Sequence, residues 1–221
     1  MERRKEGSKL GEKGEELEKY FHSLYKGAYP KAVESTLIES QSFLQVPLGE
    51  AKFLEMLVRL LRPRKVLEIG TFRGFSSVFM AKALPKQSKI WTIERDEKRY
   101  EEIENLYKKT QVRPQINLLK GFALPLLKDL VKKKMKFDFF FIDASKQETK
   151  EYFEICYKKL SNKGAAIVID NTLWAREVTD KNPKSNAAKH MKEFNEFVFK
   201  KYKKDSYILP GWDGVTIVLR K

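Results

Sequence analysis

Hydrophobic and polar positions follow two different rhythms along this chain. Short runs rich in β-branched and aromatic residues are followed by stretches in which apolar residues recur every three or four positions. The runs predict strands, and the stretches predict amphipathic helices. Strands are predicted over residues 65–69, 90–93, 116–119, 137–142, 165–169, 206–209 and 215–219.

Helices alternate with the first five of these strands. They are predicted over residues 74–84, 96–109, 123–133, 147–160 and 185–202. Such alternation indicates a mostly parallel sheet with right-handed crossovers and helices on both faces. No internal repeat or second domain is visible, so we expect a single α/β domain over residues 15–221, with its sheet-forming core over 64–221.

The part of the chain before residue 64 reads differently. Residues 1–14 are charged and contain three glycines, which is typical of a flexible tail. Leu17, Tyr20, Phe21 and Leu24 then recur at helical spacing, and further helices are predicted up to about residue 44 and over 48–61. We therefore expect N-terminal helices over residues 15–63.

The composition bears on the cellular compartment and on the possible binding partners. The single cysteine, Cys156, cannot form an internal disulfide, and neither a signal pattern nor an apolar run of bilayer length is visible, so we expect a cytoplasmic protein without a membrane segment. The chain has 45 Lys and Arg against 30 Asp and Glu, a formal charge of +15, which would attract polyanions such as RNA. The basic runs are scattered, however, as on an ordinary solvated surface.

Two of the predicted strands stop abruptly on an acid. Residues 137–142 lead into Asp143, and residues 165–169 lead into Asp170 and Asn171. Carboxyl ends of parallel strands meet at one edge of the sheet, where open α/β sheets bind ligands. Oxygen ligands of these types suit a divalent cation. Taken singly, Asp143 could equally cap the next helix, and Asp170 with Asn171 could form a turn.

The turn after the first strand offers a second candidate site. Gly70 and Gly74 flank it, and glycines there allow a ligand to approach the backbone closely. The spacing is not G-x-G-x-x-G, which disfavours a dinucleotide. Glu94 ends the next strand, 24 residues beyond Gly70, where an acid can accept hydrogen bonds from both hydroxyls of a ribose.

In this order and spacing the motifs resemble the cation-dependent, S-adenosylmethionine (SAM)-dependent O-methyltransferases of the catechol and caffeoyl-CoA type. The resemblance runs from about Val46 to the C-terminus and rests on residues 66–71, 92–94, 141–146, 169–174 and the pair Asp213 and Gly214. It implies a Rossmann-like class I methyltransferase fold, in which a seven-stranded sheet has its last strand antiparallel. Because that family is often dimeric, it also implies a homodimer.

The resemblance implies a site with a cofactor half and an acceptor half. Asp143, Asp170 and Asn171 would bind the metal, usually Mg²⁺. Asp143 and Lys146 would be the catalytic residues, with Lys146 as the base, and Lys146 and Trp174 would contact the substrate. SAM would be bound by Val46, Glu68, Gly70, Thr71, Phe72, Gly74, Ser76, Glu94, Arg95, Gly121, Ala123 and Asp143.

Some of these assignments have an equally simple structural alternative. Trp174 could wall the acceptor pocket or pack in the core.

The sequence also departs from the family pattern at two positions. The family commonly has acids where this chain has Phe122 and Ser145. His22 and His190 have no spacing that indicates a zinc site or a nucleophilic triad, so we interpret both as structural or surface residues.

Three hypotheses for function follow. The first is a SAM- and metal-dependent O-methyltransferase that methylates a hydroxyl of a small catechol-like or phenolic acceptor. In the second the acceptor is the wobble 5-hydroxyuridine of tRNA, which some bacterial members of the family methylate and which would suit the basic charge. The third, an NAD-binding oxidoreductase or a non-catalytic cofactor-binding module, is disfavoured by the missing third glycine and by Lys146.

Overall fold

The computed structural model describes residues 11–29, residue 33 and residues 46–221. The α-helices with described bounds are α1 (Gly11–Leu24), α2 (Leu48–Leu61), α3 (Phe75–Ala83), α4 (Tyr100–Lys109), α5 (Ala123–Lys132), α6 (Thr149–Ile155) and α7 (Asn186–Tyr202). The strands are β1 (Lys65–Ile69), β2 (Lys89–Glu94), β3 (Ile116–Lys120), β4 (Phe137–Ile142), β5 (Ser161–Ile169), β6 (Ser206–Leu209) and β7 (Val215–Leu219). None of these helices combines the length and the apolar composition needed to cross a bilayer.

The seven strands form one mixed sheet in the order β3-β2-β1-β4-β5-β7-β6. β1 to β5 pair in parallel, and β7 lies between β5 and β6, antiparallel to both. The predicted parallel sheet with an antiparallel last strand is confirmed. The chain progresses outward in opposite directions from β1 and β4, so the carboxyl ends of these two strands border the crevice in which such sheets bind ligands.

Helices cover both faces of the sheet. Phe139 and Phe141 of β4 face the layer that contains α2, α3 and α4, and Phe140 faces the layer that contains α5, α6 and α7. The alternation follows from the pleat of a strand, which points successive side chains to opposite faces. Because both faces of β4 are buried, the strand reads as a continuous apolar run.

Several element boundaries differ from prediction. The predicted helix over 147–160 is divided into α6 and a π-helical turn, Cys156–Leu160. β5 begins at Ser161, four residues before the predicted start, and the β4–β5 register shifts between Phe137 and Phe139. Helix α1 begins at Gly11 and so overlaps the last residues of the predicted tail, and the helix predicted up to about residue 44 lies largely outside the described residues.

Helix α1 supports the start of α2. Its Glu18 carboxylate accepts a hydrogen bond from the Leu48 amide at 3.2 Å. Phe21 packs so closely on Gly49 that a Cβ there would lie 3.0 Å from its ring. Leu17, Tyr20 and Leu24 of the same helix remain exposed at 44%, 57% and 56%. The interior face of α1 therefore serves mainly to fix the first turn of α2 beside the sheet edge.

Candidate active site

The acids that end β4 and β5 lie side by side at the carboxyl edge of the sheet. Ile69 pairs with Ile142, and Ile142 pairs with Ile169, so the residues that follow are level with one another. The Asp143 amide donates to the Ile69 carbonyl at 2.9 Å, and the Asp170 amide donates to the Ile142 carbonyl at 3.0 Å. Backbone pairing therefore brings the two carboxylates together, as the strand pattern predicts.

Lys146 lies between these two strand ends. Its Nζ donates to Asp143 Oδ1 at 3.0 Å and to the Asp170 backbone carbonyl at 3.2 Å, and its side chain is only 8% exposed. Asn171 is buried beside Asp170, whose Oδ1 accepts from the Asn171 amide at 2.5 Å. All four residues predicted for the metal and the base are thus gathered at one place, with the ammonium as a counter-charge.

A further acid, Glu50, faces this cluster from the first turn of α2. It is 1% exposed, and its Oε1 has no hydrogen-bond partner among the described residues. Burial raises the pKa of its carboxyl well above the usual value, and the neighbouring charges of Asp170 and Asp143 raise it further. Sequence reasoning missed Glu50, although a signal existed. It precedes Leu54 by four residues and Val58 by eight, so it occupies the buried stripe of α2.

The chemistry of these side chains fits a divalent cation. The cluster combines three carboxyl groups and an amide oxygen, the hard ligands that Mg²⁺ and Ca²⁺ prefer. One of its carboxyl oxygens, Glu50 Oε1, is buried and has no partner in the described part of the chain. Among the described residues, no three His, Cys, Asp or Glu side chains are already arranged closely enough to form a metal cage. A cation would therefore have to draw these carboxylates together as it binds.

The loop after Asn171 is held in an unusual conformation. Asn171, Trp174, Ala175 and Arg176 all have positive φ, between 43° and 63°, although none is glycine. Asp213 holds this loop, because its carbonyl accepts from the Leu173 amide at 2.9 Å and its Oδ1 accepts from the Ala175 amide at 2.5 Å. Such conformations cost about 1 kcal/mol or more each and are retained where the surroundings enforce them.

Trp174 itself is half-buried. Its side chain packs against the apolar cluster on the α5–α7 side of the sheet. Trp174 therefore does pack in the core, as the alternative interpretation expected. A contact between Trp174 and the substrate stays a prediction, because Trp174 follows Asn171 by three residues.

The glycine turn after β1 directly contacts the acid edge, the part of the sheet edge that carries Asp143, Asp170 and Asn171. Gly70 has a φ of +100°, and a Cβ at this position would lie 2.0 Å from the Asp143 carbonyl oxygen. At Gly74, with a φ of +82°, a Cβ would lie 2.8 Å from the Tyr107 ring. Only glycine satisfies both the backbone conformation and the lack of space. The turn and Asp143 are therefore packed as one unit.

Glu68 anchors this turn from inside the sheet. Its buried carboxylate accepts hydrogen bonds from Ser76 at 2.5 Å, from Thr92 at 2.5 Å, and from Ser77. Burial raises the pKa of the Glu68 carboxyl to about 7, although the three hydroxyl donors act to lower it. The sequence did not indicate that Ser77 and Thr92 contact Glu68.

This raised pKa predicts a pH-dependent contribution to stability. A buried carboxyl with a folded-state pKa of about 7 and an unfolded-state pKa of 4.5 stabilises the fold below pH 4.5, and the contribution is lost as the pH rises through 7. Relative to Glu68→Gln, the unfolding free energy of the wild type should fall by about 2 kcal/mol between about pH 5 and pH 8. Urea unfolding of both proteins across this range measures the difference, and a constant difference would contradict the raised pKa.

Glu94 connects the turns at the ends of β1 and β2. Its Oε2 accepts from the Phe72 amide at 2.7 Å, and its Oε1 accepts from the Asp96 amide at 2.8 Å. Arg99 stacks over the Phe72 ring, with its guanidinium carbon 4.2 Å from the ring centroid. The residue predicted to hold a ribose therefore also organises both turns, while its neighbour Arg95 is exposed.

The remaining cofactor predictions fall along the same edge. The Gly121 amide donates to the Glu94 carbonyl at 2.8 Å, and Ala123 is the first residue of α5. A narrow pocket lies between the glycine turn and the acid edge, and its walls include Val46, Gly70, Thr71, Phe72, Ser76 and Asp143. The structure thus places the predicted cofactor residues around the carboxyl ends of β1, β2 and β3, next to the acid cluster.

Comparison with known proteins decides the family. A family model described as O-methyltransferase matches residues 22–221. This chain belongs to the O-methyltransferase family. The enzyme class and the class I methyltransferase fold expected from the motifs are thereby confirmed, and the oxidoreductase hypothesis has no support from the match.

Individual relatives of this O-methyltransferase agree with that assignment. It is 34% identical over 189 residues to a caffeoyl-CoA O-methyltransferase of Populus kitakamiensis, covering 82% of this chain and 80% of the relative. It is 31% identical over 184 residues to a catechol O-methyltransferase of Niastella koreensis, covering 80% and 83%. The crystal structure of the O-methyltransferase TomG from Streptomyces achromogenes in complex with SAM superposes with a TM-score of 0.79 at 29% identity, covering 93% and 96%.

Proposed function

We propose that this O-methyltransferase transfers a methyl group from SAM to a hydroxyl of a small catechol-like or phenolic acceptor with the help of a divalent cation, Mg²⁺ in the first instance. The observation that carries the proposal is the buried grouping of Asp143, Asp170, Asn171 and Lys146, packed directly against the Gly70 turn. A homodimer in the cytoplasm is part of the same proposal.

The glycine turn and Glu94 support the cofactor half. The pocket beside Gly70 and Thr71 lies beside the carboxyl end of β1, and Glu94 stands at the end of the adjacent strand. This arrangement allows the amino-acid end of SAM to lie near Gly70 and its ribose near Glu94. TomG, which shares the fold, is in complex with SAM. The methyl group would then point toward the acid cluster, since Asp143 lines the same pocket.

The acid cluster supports the acceptor half. Asp143, Asp170 and Asn171 would hold the cation through two carboxylates and one amide oxygen, a set that leaves positions for acceptor oxygens. A divalent cation bound there would orient an acceptor hydroxyl and make it more acidic.

Lys146 would receive the proton. Its Nζ is held by Asp143 and by the Asp170 carbonyl at the edge where the hydroxyl would lie. In its neutral form Nζ would take the proton of the acceptor hydroxyl. SAM would supply an electrophilic methyl group to the hydroxyl oxygen and would leave as a neutral thioether, with the electron pair of the broken carbon–sulfur bond kept on sulfur. The protein contributes mainly by aligning oxygen, carbon and sulfur.

The names of the relatives support the acceptor class. Those from Populus kitakamiensis and Niastella koreensis are named for caffeoyl-CoA and catechol, both of which carry adjacent aromatic hydroxyls. Two adjacent oxygens can bind one cation together, which fixes the reacting hydroxyl. A catechol-type acceptor therefore fits this site better than an isolated phenol.

A methyl-transfer screen tests the acceptor assignment. With labelled SAM and Mg²⁺ we expect label in catechol and caffeate-type acceptors and at least about tenfold less in matched phenols with one hydroxyl. Equal labelling of both would contradict chelation of a vicinal diol.

Total tRNA belongs in the same screen, because the formal charge of +15 favours a polyanionic acceptor. Label in tRNA but not in the phenolics, with binding that weakens steeply as salt rises, would establish the 5-hydroxyuridine alternative instead.

A further inference from the structure

One carboxyl group at the acid edge, that of Glu50, is neither one of the three proposed metal ligands nor the proposed base. Glu50 belongs to α2, outside the α/β core, yet it is 1% exposed and lies within hydrogen-bonding reach of the Asp170 side chain. Burying a carboxyl next to two other acids is costly unless something compensates for it. Its companion on the same helix, Glu55, is equally buried but has that compensation from Lys52, Arg59 and Tyr29.

One oxygen of the Glu50 carboxyl group, Oε1, is inaccessible to solvent and has no hydrogen-bond partner among the described residues. Buried polar atoms without partners are rare in native proteins and often mark the place of an ion or a ligand. Lys146 acts on Glu50 as the compensating positive charge, but its Nζ is engaged by Asp143 and by the Asp170 carbonyl.

Three carboxyl groups, those of Glu50, Asp143 and Asp170, surround a single lysine, Lys146. A divalent cation bound among them would supply the positive charge that ionisation of all three acids requires.

We propose that Glu50 is a further oxygen ligand of the cation, so that metal binding ties the first turn of α2 to the ends of β4 and β5. This inference rests on the proposed metal site and extends it to a helix outside the sheet. Since the first turn of α2 is otherwise fixed by Glu18 and Phe21 of α1, the metal would connect the N-terminal helices with the catalytic edge.

Manganese binding tests the inference without reference to activity. We would titrate the full-length, chelator-treated protein with Mn²⁺ and follow free Mn²⁺ by electron paramagnetic resonance. Glu50→Gln should raise the dissociation constant at least about tenfold. Glu55→Gln is the matched control, because it removes a charge equally buried in the same helix, and it should leave Mn²⁺ affinity unchanged.

Asp170→Ala distinguishes a failure of the Glu50 inference from a failure of the proposed metal site. If Asp170→Ala abolishes Mn²⁺ binding while Glu50→Gln leaves it unchanged, Glu50 is not a ligand and the inference is overturned, whereas the metal site stands. If neither substitution weakens binding, the metal site itself is refuted.

Hydrogen exchange of the wild-type protein provides a test that requires no variant to fold. Mn²⁺ should slow amide exchange in the first two turns of α2 together with the segment after Asp170. Protection at the strand ends without any change in α2 would contradict the proposed link.

Discussion

Asp170→Ala should lower kcat/KM for a catechol acceptor by at least about 100-fold, because a catalytic cation contributes several kcal/mol and each 1.4 kcal/mol is a factor of ten. Asp170 follows directly after β5 and is only 3% exposed, so its substitution removes a carboxylate from inside the proposed metal site. The remaining activity should no longer respond to added Mg²⁺. Initial rates with labelled SAM across a Mg²⁺ titration measure both effects.

Two controls keep this prediction specific. Affinity for S-adenosylhomocysteine, measured by calorimetry, should stay within about threefold of the wild type, since Asp170 lies on the acceptor side of the pocket. Asp129→Ala removes an acid from an exposed pair with Lys133 and should leave the rate unchanged. Full Mg²⁺-dependent activity in Asp170→Ala would exclude this residue as a ligand.

Lys146→Met should lower kcat by about 100-fold or more, the usual contribution of a positioned general base. Methionine retains much of the apolar stem of lysine but cannot take a proton. Because Nζ contacts Asp143 and the Asp170 carbonyl but belongs to neither the glycine turn nor the Glu94 network, affinity for S-adenosylhomocysteine should be retained. Single-turnover rates with catechol measure the chemical step.

A more acidic acceptor distinguishes a base from a structural lysine. Nitrocatechol loses its proton more readily than catechol, so the rate loss in Lys146→Met should be clearly smaller with nitrocatechol. Lys150→Met changes a lysine four residues further on, at the start of α6, whose Nζ lies 4.9 Å from the Phe197 ring centroid, and it should leave both rates unchanged. Equal losses with both acceptors would indicate that Lys146 does not act as the base.

The sheet and its acid edge could be predicted because they depend on local patterns. Apolar runs such as residues 137–142 are buried on both faces, and the chain must turn where they end. The side chains that follow, Asp143 and Asp170, are then level with each other because parallel register is continuous across β1, β4 and β5. The position of Glu94 at the end of β2 follows from the same regularity.

Contacts between distant segments could not be read from the sequence in this way. Glu50 reaches Asp170 across 120 residues of sequence, through the docking of α2 rather than through any local pattern. Asp213 was noted as part of a motif, but its hold on the loop at Ala175 depends on β7 returning beside β5. The packing of Gly70 on the Asp143 carbonyl likewise appears only when β1 and β4 are adjacent.

Helix α1 shows the same difference between local patterns, which predict an element, and distant contacts, which decide its burial. Helical spacing of Leu17, Tyr20, Phe21 and Leu24 predicts a helix, and the helix is present. Spacing does not say which of these residues find a partner, and only Phe21 among them packs against the core of the described chain. Apolar periodicity therefore predicted the element but not the extent of its burial.

The most direct test of the central claim is the rate of methyl transfer from labelled SAM to catechol by the wild-type protein, measured with EDTA and again after Mg²⁺ is restored. We predict that EDTA reduces the rate by at least about 100-fold and that excess Mg²⁺ restores it. An undiminished rate in EDTA would show that the acid cluster at the ends of β4 and β5 does not act through a cation.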